Sequence, residues 1–462
     1  MTVPADLARA LRAALGESAV VDDPARLVPY GQDALKRPGH LPDLVVLPST
    51  TAEVSSVACL CTAYRVPMVP RGGGTGYTGG SVPVRGGVVI SMERFTRILE
   101  IDTANLLAVV EPNVVTGDLQ DAVERLGLFY PPDPASLRES VIGGNVAESA
   151  GGPRAFKYGT TRQYVLGLEA VLPSGEVVRT GGKTVKNVAG YDLTQLLVGS
   201  EGTLAIITRV VVRLVPKPTS WVTLRARFAS VGAAADAVSG IVRARVVPAT
   251  LELIDGESLR AVARHLDTEA LAAPGTEALL LLEVDGLGEG VAGDARRVAE
   301  ACRAAGALEV LVATAEAERE ELWRVRRSLS HALQVIAPCK INHDVVVPKG
   351  RLPQLCAAVE ALRHELRLRV PCFGHAGDGN LHVNFMVDPD DADEMARARE
   401  GEQRLFAAVV ALEGAITGEH GVGFTKAPFM RLAFSETELA LMRRVKAAFD
   451  PHGLLNPGKI FP

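Results

Sequence analysis

The sequence predicts an α+β protein of two or three domains, and three observations predict it. Its 462 residues exceed what a single hydrophobic core usually organises. Near the N-terminus, residues 44–47, 51–65 and 66–69 read as strand, helix and strand. From Trp221 onward, strands alternate with helices across short links, the pattern of an α/β plait on an antiparallel sheet.

Thr50 and Glu53 form a capping box that opens helix 51–65. The strand after it runs into Arg71-Gly72-Gly73-Gly74-Thr75-Gly76-Tyr77-Thr78-Gly79-Gly80. Gly74, Gly76 and Gly79 spell G-x-G-x-x-G, but a dinucleotide fingerprint needs a helix to begin inside it. Here Pro83, Gly86 and Gly87 follow, and then another strand at 88–92. That excludes the nicotinamide type of site. A glycine loop between strands still wraps a diphosphate with backbone N–H groups, so a phosphate-bearing cofactor is expected. Small-residue runs at 131–136, 142–152 and 199–204 would each alone be a tight turn; together they predict a large ligand lying along several loops. Residues 164–180 read as a hairpin around Pro173-Ser174-Gly175, and Pro216-Lys217-Pro218 marks a boundary. The predicted regions are 1–218, 219–412 and 413–462.

The second region carries Gly374-His375-Ala376-Gly377-Asp378-Gly379-Asn380-Leu381-His382, and the third Gly418-Glu419-His420-Gly421. His375 and His382 differ by an odd number, so on one continuous strand they would face opposite sides. The Gly-Asp-Gly turn folds the chain back and brings both rings to one point, at the edge of the second region's sheet. With Glu419 they make a two-histidine, one-carboxylate set for a divalent ion: zinc first, with manganese or iron able to use the same ligands. His420 is left for proton transfer. A single such histidine would read as a loop cap; three in this arrangement read as a metal site with a base beside it.

A formal charge of −5 with no basic stripe gives no nucleic-acid surface. The longest apolar runs are strand-length, well below the roughly 20 residues of a membrane span. The first residues read as an amphipathic helix rather than a signal peptide, so the expected location is cytoplasmic, with peripheral attachment to the inner face of the membrane through partners left open as an alternative. The six cysteines show no repeated Cys-x-x-Cys, which argues against a cluster within this chain. They read as small buried hydrophobes.

These motifs, taken in order over nearly the whole chain with Asn187-Val188-Ala189-Gly190-Tyr191-Asp192-Leu193 and the tail Leu455-Asn456-Pro457-Gly458-Lys459, resemble the FAD-linked oxidases of the vanillyl-alcohol oxidase, or PCMH, type. The resemblance is greatest to their D-2-hydroxy-acid dehydrogenase branch. It implies an FAD domain of two α/β subdomains built from the first region and the C-terminal segment, with the middle region as substrate cap. It places FAD against Arg71, Gly72, Gly73, Gly74, Thr75, Gly76, Gly79 and Gly80, then Pro132, Ser136, Gly143, Gly144 and Asn145. Gly202, Thr203, Ile206 and Ile207 follow, and Asn456 returns from the tail. The first loop contains no histidine for covalent attachment, so the FAD is expected to dissociate. Tyr77 stands where an aliphatic residue is commoner.

The resemblance also implies oxidation of a small 2-hydroxy acid, such as glycolate or D-lactate, with the α-hydrogen leaving as hydride to flavin N5. His420 is the base, Arg326 the carboxylate clamp, and Lys340 and Asn384 are further catalytic positions. A guanidinium suits bidentate carboxylate binding. Electrons would pass to an external acceptor or to a separate iron–sulfur subunit, in a homodimer or a multi-subunit oxidase. The alternatives are a flavin-binding partner subunit without turnover, a dehydrogenase for a longer diacid such as D-2-hydroxyglutarate, and a zinc hydrolase. The last leaves the glycine loops unexplained.

Overall fold

The computed structural model describes residues 3–35, 40–267, 273–288 and 290–462. The chain forms two compact units: residues 1–151, 160–217 and 419–462 make one, and 152–159 with 218–418 make the other. The α+β class predicted by the sequence is the class observed.

In the first unit, Leu44–Val46, Val88–Ser91 and Met68–Arg71 lie parallel, with Val20–Val21 added antiparallel at one side. Helix Thr51–Ala63 connects two of these strands, and Val54, Val57, Ala58 and Cys61 bury one stripe of it against Met68, Val88 and Ile90. Thr50 Oγ1 accepts from Glu53 N, but the Glu53 carboxylate reaches Ser49 N at 2.6 Å. The expected box is therefore shifted by one residue on its return half. Such caps contribute about 1 kcal/mol. The opposite stripe of the helix is polar: Ser55, Cys59 and Thr62 donate to the carbonyls of Gly175, Ser174 and Pro173. Cys59 is exposed and Cys339 half-buried, contrary to the reading of all six cysteines as buried. A five-stranded antiparallel sheet completes the unit; in it Val165–Val171 and Val177–Gly181 are the predicted hairpin. The tail joins the first sheet through Met68 N to Leu454 O and Asn456 N to Met68 O.

The second unit is one seven-stranded sheet, antiparallel throughout, in the order Glu309–Ala313, Ser220–Phe228, Ala278–Gly286, Thr250–Asp255, Cys372–His375, Asn380–Val387, Cys339–Val346. In the apolar run of Ala278–Gly286, Leu279 and Leu281 pack with helices Gly256–His265 and Glu316–Ala332. Leu280 and Leu282 point to the opposite face, as strand alternation requires. Burying each such leucine contributes roughly 1.5–3 kcal/mol. In helix Glu316–Ala332, the residues Leu322, Val325, Leu329 and Ala332 make the stripe that meets the sheet. Among the described residues no helix is long and apolar enough to cross a membrane.

Candidate active site

The histidine turn joins two interior strands, Cys372–His375 and Asn380–Val387. It therefore sits at the ends of two interior strands, next to the edge strand Cys339–Val346, rather than at the sheet's edge, correcting the sequence expectation. Gly379 has φ +85, and a Cβ there would lie 2.1 Å from Val347 O, so only glycine closes this turn. Phe156 packs on Gly377, and Lys349 Nζ stands 4.7 Å over its ring. His375 and His382 meet edge to face, with ring centroids 5.3 Å apart.

Register places the surrounding polar groups. Glu252 pairs with His375, Asp344 with His382, and Asn342 with Asn384, and residues directly opposite one another share a face. The His375 Nδ1 lies 2.6 Å from Glu252 Oε1, and Glu252 Oε2 accepts from Arg326 Nε. Burial pushes the Glu252 carboxyl up, but the Arg326 guanidinium and the His375 imidazole more than reverse this, bringing it down to about 2. Removing one partner of a buried ion pair costs about 3–5 kcal/mol, so Arg326 is part of the scaffold as well as a candidate ligand. Its guanidinium carbon stacks 5.1 Å over Phe373. Among the described residues its terminal nitrogens meet no acceptor.

Asp344 accepts from Thr417 Oγ1 at 3.2 Å and from Gly418 N at 2.8 Å. That fixes the chain one peptide bond before Glu419. The ligand atoms of His375, His382 and Glu419 lie within 4.8 Å of one another. Two imidazole nitrogens and a carboxylate oxygen form a donor set that fits a divalent ion. Among the described residues no other such group converges.

Lys340 and Asn384 have other partners. Lys340 Nζ donates to Ser330 Oγ at 2.6 Å, and burial lowers its pKa. Asn384 donates to Pro371 O and His382 O and accepts from Asn342 Nδ2. The Asn384 amide therefore holds the strands in register, and its direct part in catalysis finds no support in these contacts.

In the first unit, the loop after Met68–Arg71 contains no helix before Val88–Ser91, in agreement with the exclusion of a dinucleotide fingerprint. Among the described residues, the backbone N–H groups of residues 73–78 donate to no protein acceptor. This row of unpartnered donors fits a diphosphate. The neighbouring glycines have a second reason: a Cβ on Gly72 would lie 2.7 Å from Val141 Cγ2, and one on Gly143 2.5 Å from Pro112 Cβ. They let loops approach each other, whereas Gly76 opens on empty space. Arg71 is directed inward, donating to Ser81 Oγ and Pro29 O, and so braces the loop. The Ile206 side chain likewise belongs to the core. Asn145 donates to Thr116 Oγ1, and Pro132 O accepts from Gln120.

His420 lies against the same loop. Thr78 Oγ1 donates to its carbonyl at 3.0 Å, and Tyr77 stacks on its ring at 5.0 Å and 27°. Phe424 N donates to Thr78 O, and Phe424 occupies the space a Cβ on Gly79 would need. Beneath lies Glu201, which accepts from Val422 N at 2.8 Å and Gly423 N at 2.7 Å. Burial raises the Glu201 pKa and lowers that of Lys459 to about 8. Asn456 ties this together, donating to Gly80 O and Glu201 O and accepting from Lys459. Sequence reasoning missed Glu252, Asp344 and Glu201 as site residues. The available signal was an acid inside apolar strand sequence, as in Thr250-Leu251-Glu252-Leu253-Ile254.

Comparison with known proteins matches residues 42–181 to the FAD binding domain and 217–460 to the C-terminal domain of FAD linked oxidases. The chain is 44% identical over 437 residues to the glycolate oxidase subunit GlcD of Bacillus subtilis, covering 94% of this chain and 92% of that protein. It is 35% identical over 425 residues to a D-lactate dehydrogenase of Anaerostipes hadrus, covering 91% and 89%. A crystal structure of p-cresol methylhydroxylase with substrate bound superposes with a TM-score of 0.81 at 18% identity, over 98% of this chain and 96% of that one. The PCMH-type fold is therefore shared. With the two matched segments in order and relatives aligned over nearly their full length, the chain belongs to the FAD-linked oxidases and is an FAD-dependent oxidoreductase.

Proposed function

We propose that the protein oxidises a small 2-hydroxy acid, glycolate or D-lactate, to the 2-oxo acid. The observation that carries this reading is Glu252, a single buried carboxylate touching both Arg326 and His375. It puts an anion-binding guanidinium next to a candidate metal ligand, which suits a substrate whose carboxylate and α-hydroxyl are on adjacent carbons. The names of the relatives, a glycolate oxidase subunit and a D-lactate dehydrogenase, support the same substrate class.

Bound FAD would supply the acceptor for the α-hydrogen leaving as hydride, and a divalent ion, zinc first, would supply a Lewis acid that lowers the pKa of the α-hydroxyl. His375, His382 and Glu419 would hold the ion. The terminal nitrogens of Arg326 bind the substrate carboxylate, its Nε being fixed by Glu252. His420, stacked on Tyr77, takes the hydroxyl proton at a ring nitrogen. The N–H groups of the first glycine loop would hold the cofactor diphosphate. The electron acceptor is external or an iron–sulfur subunit on another polypeptide, in keeping with six cysteines whose sequence spacing contains no Cys-x-x-Cys.

Two measurements test this. Acid precipitation should release stoichiometric flavin into the supernatant; flavin retained on the precipitate would refute dissociable binding. Anaerobic addition of glycolate or D-lactate should bleach the flavin spectrum within a panel that includes longer D-2-hydroxy diacids. Bleaching by the diacids alone would shift the assignment to them, and no bleaching by any 2-hydroxy acid would overturn it.

A further inference from the structure

We propose that Glu252 is a positioning residue that couples the carboxylate clamp to the metal centre, presenting His375 Nε2 to the ion while orienting Arg326 towards substrate. This rests on the metal-site reading above and extends it to a residue outside the ligand set.

The geometry divides the carboxylate cleanly. Oε1 faces His375 Nδ1 and Oε2 faces Arg326 Nε, and the Glu252 side chain is 0% exposed. A neutral imidazole has one N–H and one lone pair. With Nδ1 directed at an anion, the proton belongs on Nδ1 and the lone pair on Nε2, the arrangement that a metal-ligating histidine needs. The same anion fixes the guanidinium by its Nε and leaves the terminal nitrogens as the pair that suits a carboxylate. Neither task could be done from an exposed site, where water would compete for both oxygens. The strand register makes the alignment rigid: Glu252 is directly opposite His375, and Phe373, two residues earlier, lies under the Arg326 guanidinium.

A buried ion pair with a purely structural role predicts something different, namely lost stability with unchanged metal binding. The test therefore reads metal affinity directly. FAD-loaded protein is stripped with a chelator and titrated with zinc against a chromophoric competitor, then separately with cobalt(II), following its visible absorption bands. Glu252→Gln can accept from His375 or from Arg326 but cannot serve both, because its amide nitrogen is a donor. It should retain FAD, bind zinc about 10–100-fold more weakly, and alter the cobalt bands. Its KM for the 2-hydroxy acid should rise along with the loss of metal affinity. Glu252→Asp keeps the charge but shortens the reach, and should fall between the two; it also decides the matter if Glu252→Gln does not fold. Parent affinity and parent cobalt bands in the variant that folds, with only a lower melting temperature, would overturn the proposal. If the parent protein takes up neither ion, the ligand assignment itself fails and this inference falls with it, an outcome distinct from a parent that binds and a variant that binds equally well.

Discussion

Replacing His420 with alanine or asparagine should slow flavin reduction by a 2-hydroxy acid roughly 10²–10⁴-fold, the range for a positioned acid–base group. His420 is attached to the first glycine loop through its backbone, by Thr78 Oγ1 to its carbonyl, and its ring makes the stack on Tyr77. Shortening the side chain therefore removes the imidazole without removing the segment's anchor. FAD content and bound metal should match the parent. Stopped-flow reduction under single-turnover conditions measures the effect. A parent-like rate would exclude His420 as the base, and loss of metal alongside activity would make it a support of the metal site instead.

His382→Ala should abolish both metal retention and turnover. Two of the three candidate ligands are histidines brought together by the turn, and removing one leaves a carboxylate and a single imidazole, too few to keep a divalent ion through purification. Elemental analysis of the parent should show about one ion per chain and of the variant close to none, with FAD retained in both, since the glycine loops proposed to hold it lie in the unit that does not contain His382. Full activity in a metal-free parent would refute the assignment.

Much of this architecture is written locally. The helix at Thr51–Ala63, the hairpin of Val165–Val171 with Val177–Gly181, and the strand–helix alternation after Trp221 follow from caps, turn residues and periodicity. Each is decided by neighbours within a few residues, and each was readable. The placement of the histidine turn was not. Whether Cys372–His375 and Asn380–Val387 are edge or interior strands depends on which strands flank them, and those come from residues 250–255 and 339–346. Cys59 makes the same point on a smaller scale: it lies on the polar stripe of its helix with Ser55 and Thr62, and its Sγ–H donates to Ser174 O of a turn more than a hundred residues away.

The sequence by itself determined the chemistry available to this protein: a glycine loop between strands, two histidines flanking a Gly-Asp-Gly turn, and a Glu-His pair downstream. These are properties of residue type and short spacing, and they point to a bound cofactor diphosphate and a metal-ligating set. Only the tertiary structure decided what each polar group is committed to. It joined Arg326 and His375 through Glu252, engaged Asn384 with backbone carbonyls, turned Arg71 inward, and gave Glu201 the N–H groups of Val422 and Gly423. The physical reason is that a buried polar atom must find a partner wherever the fold provides one. That partner is set by strand register and loop packing over separations of 74, 123 and 221 residues, which local sequence does not encode.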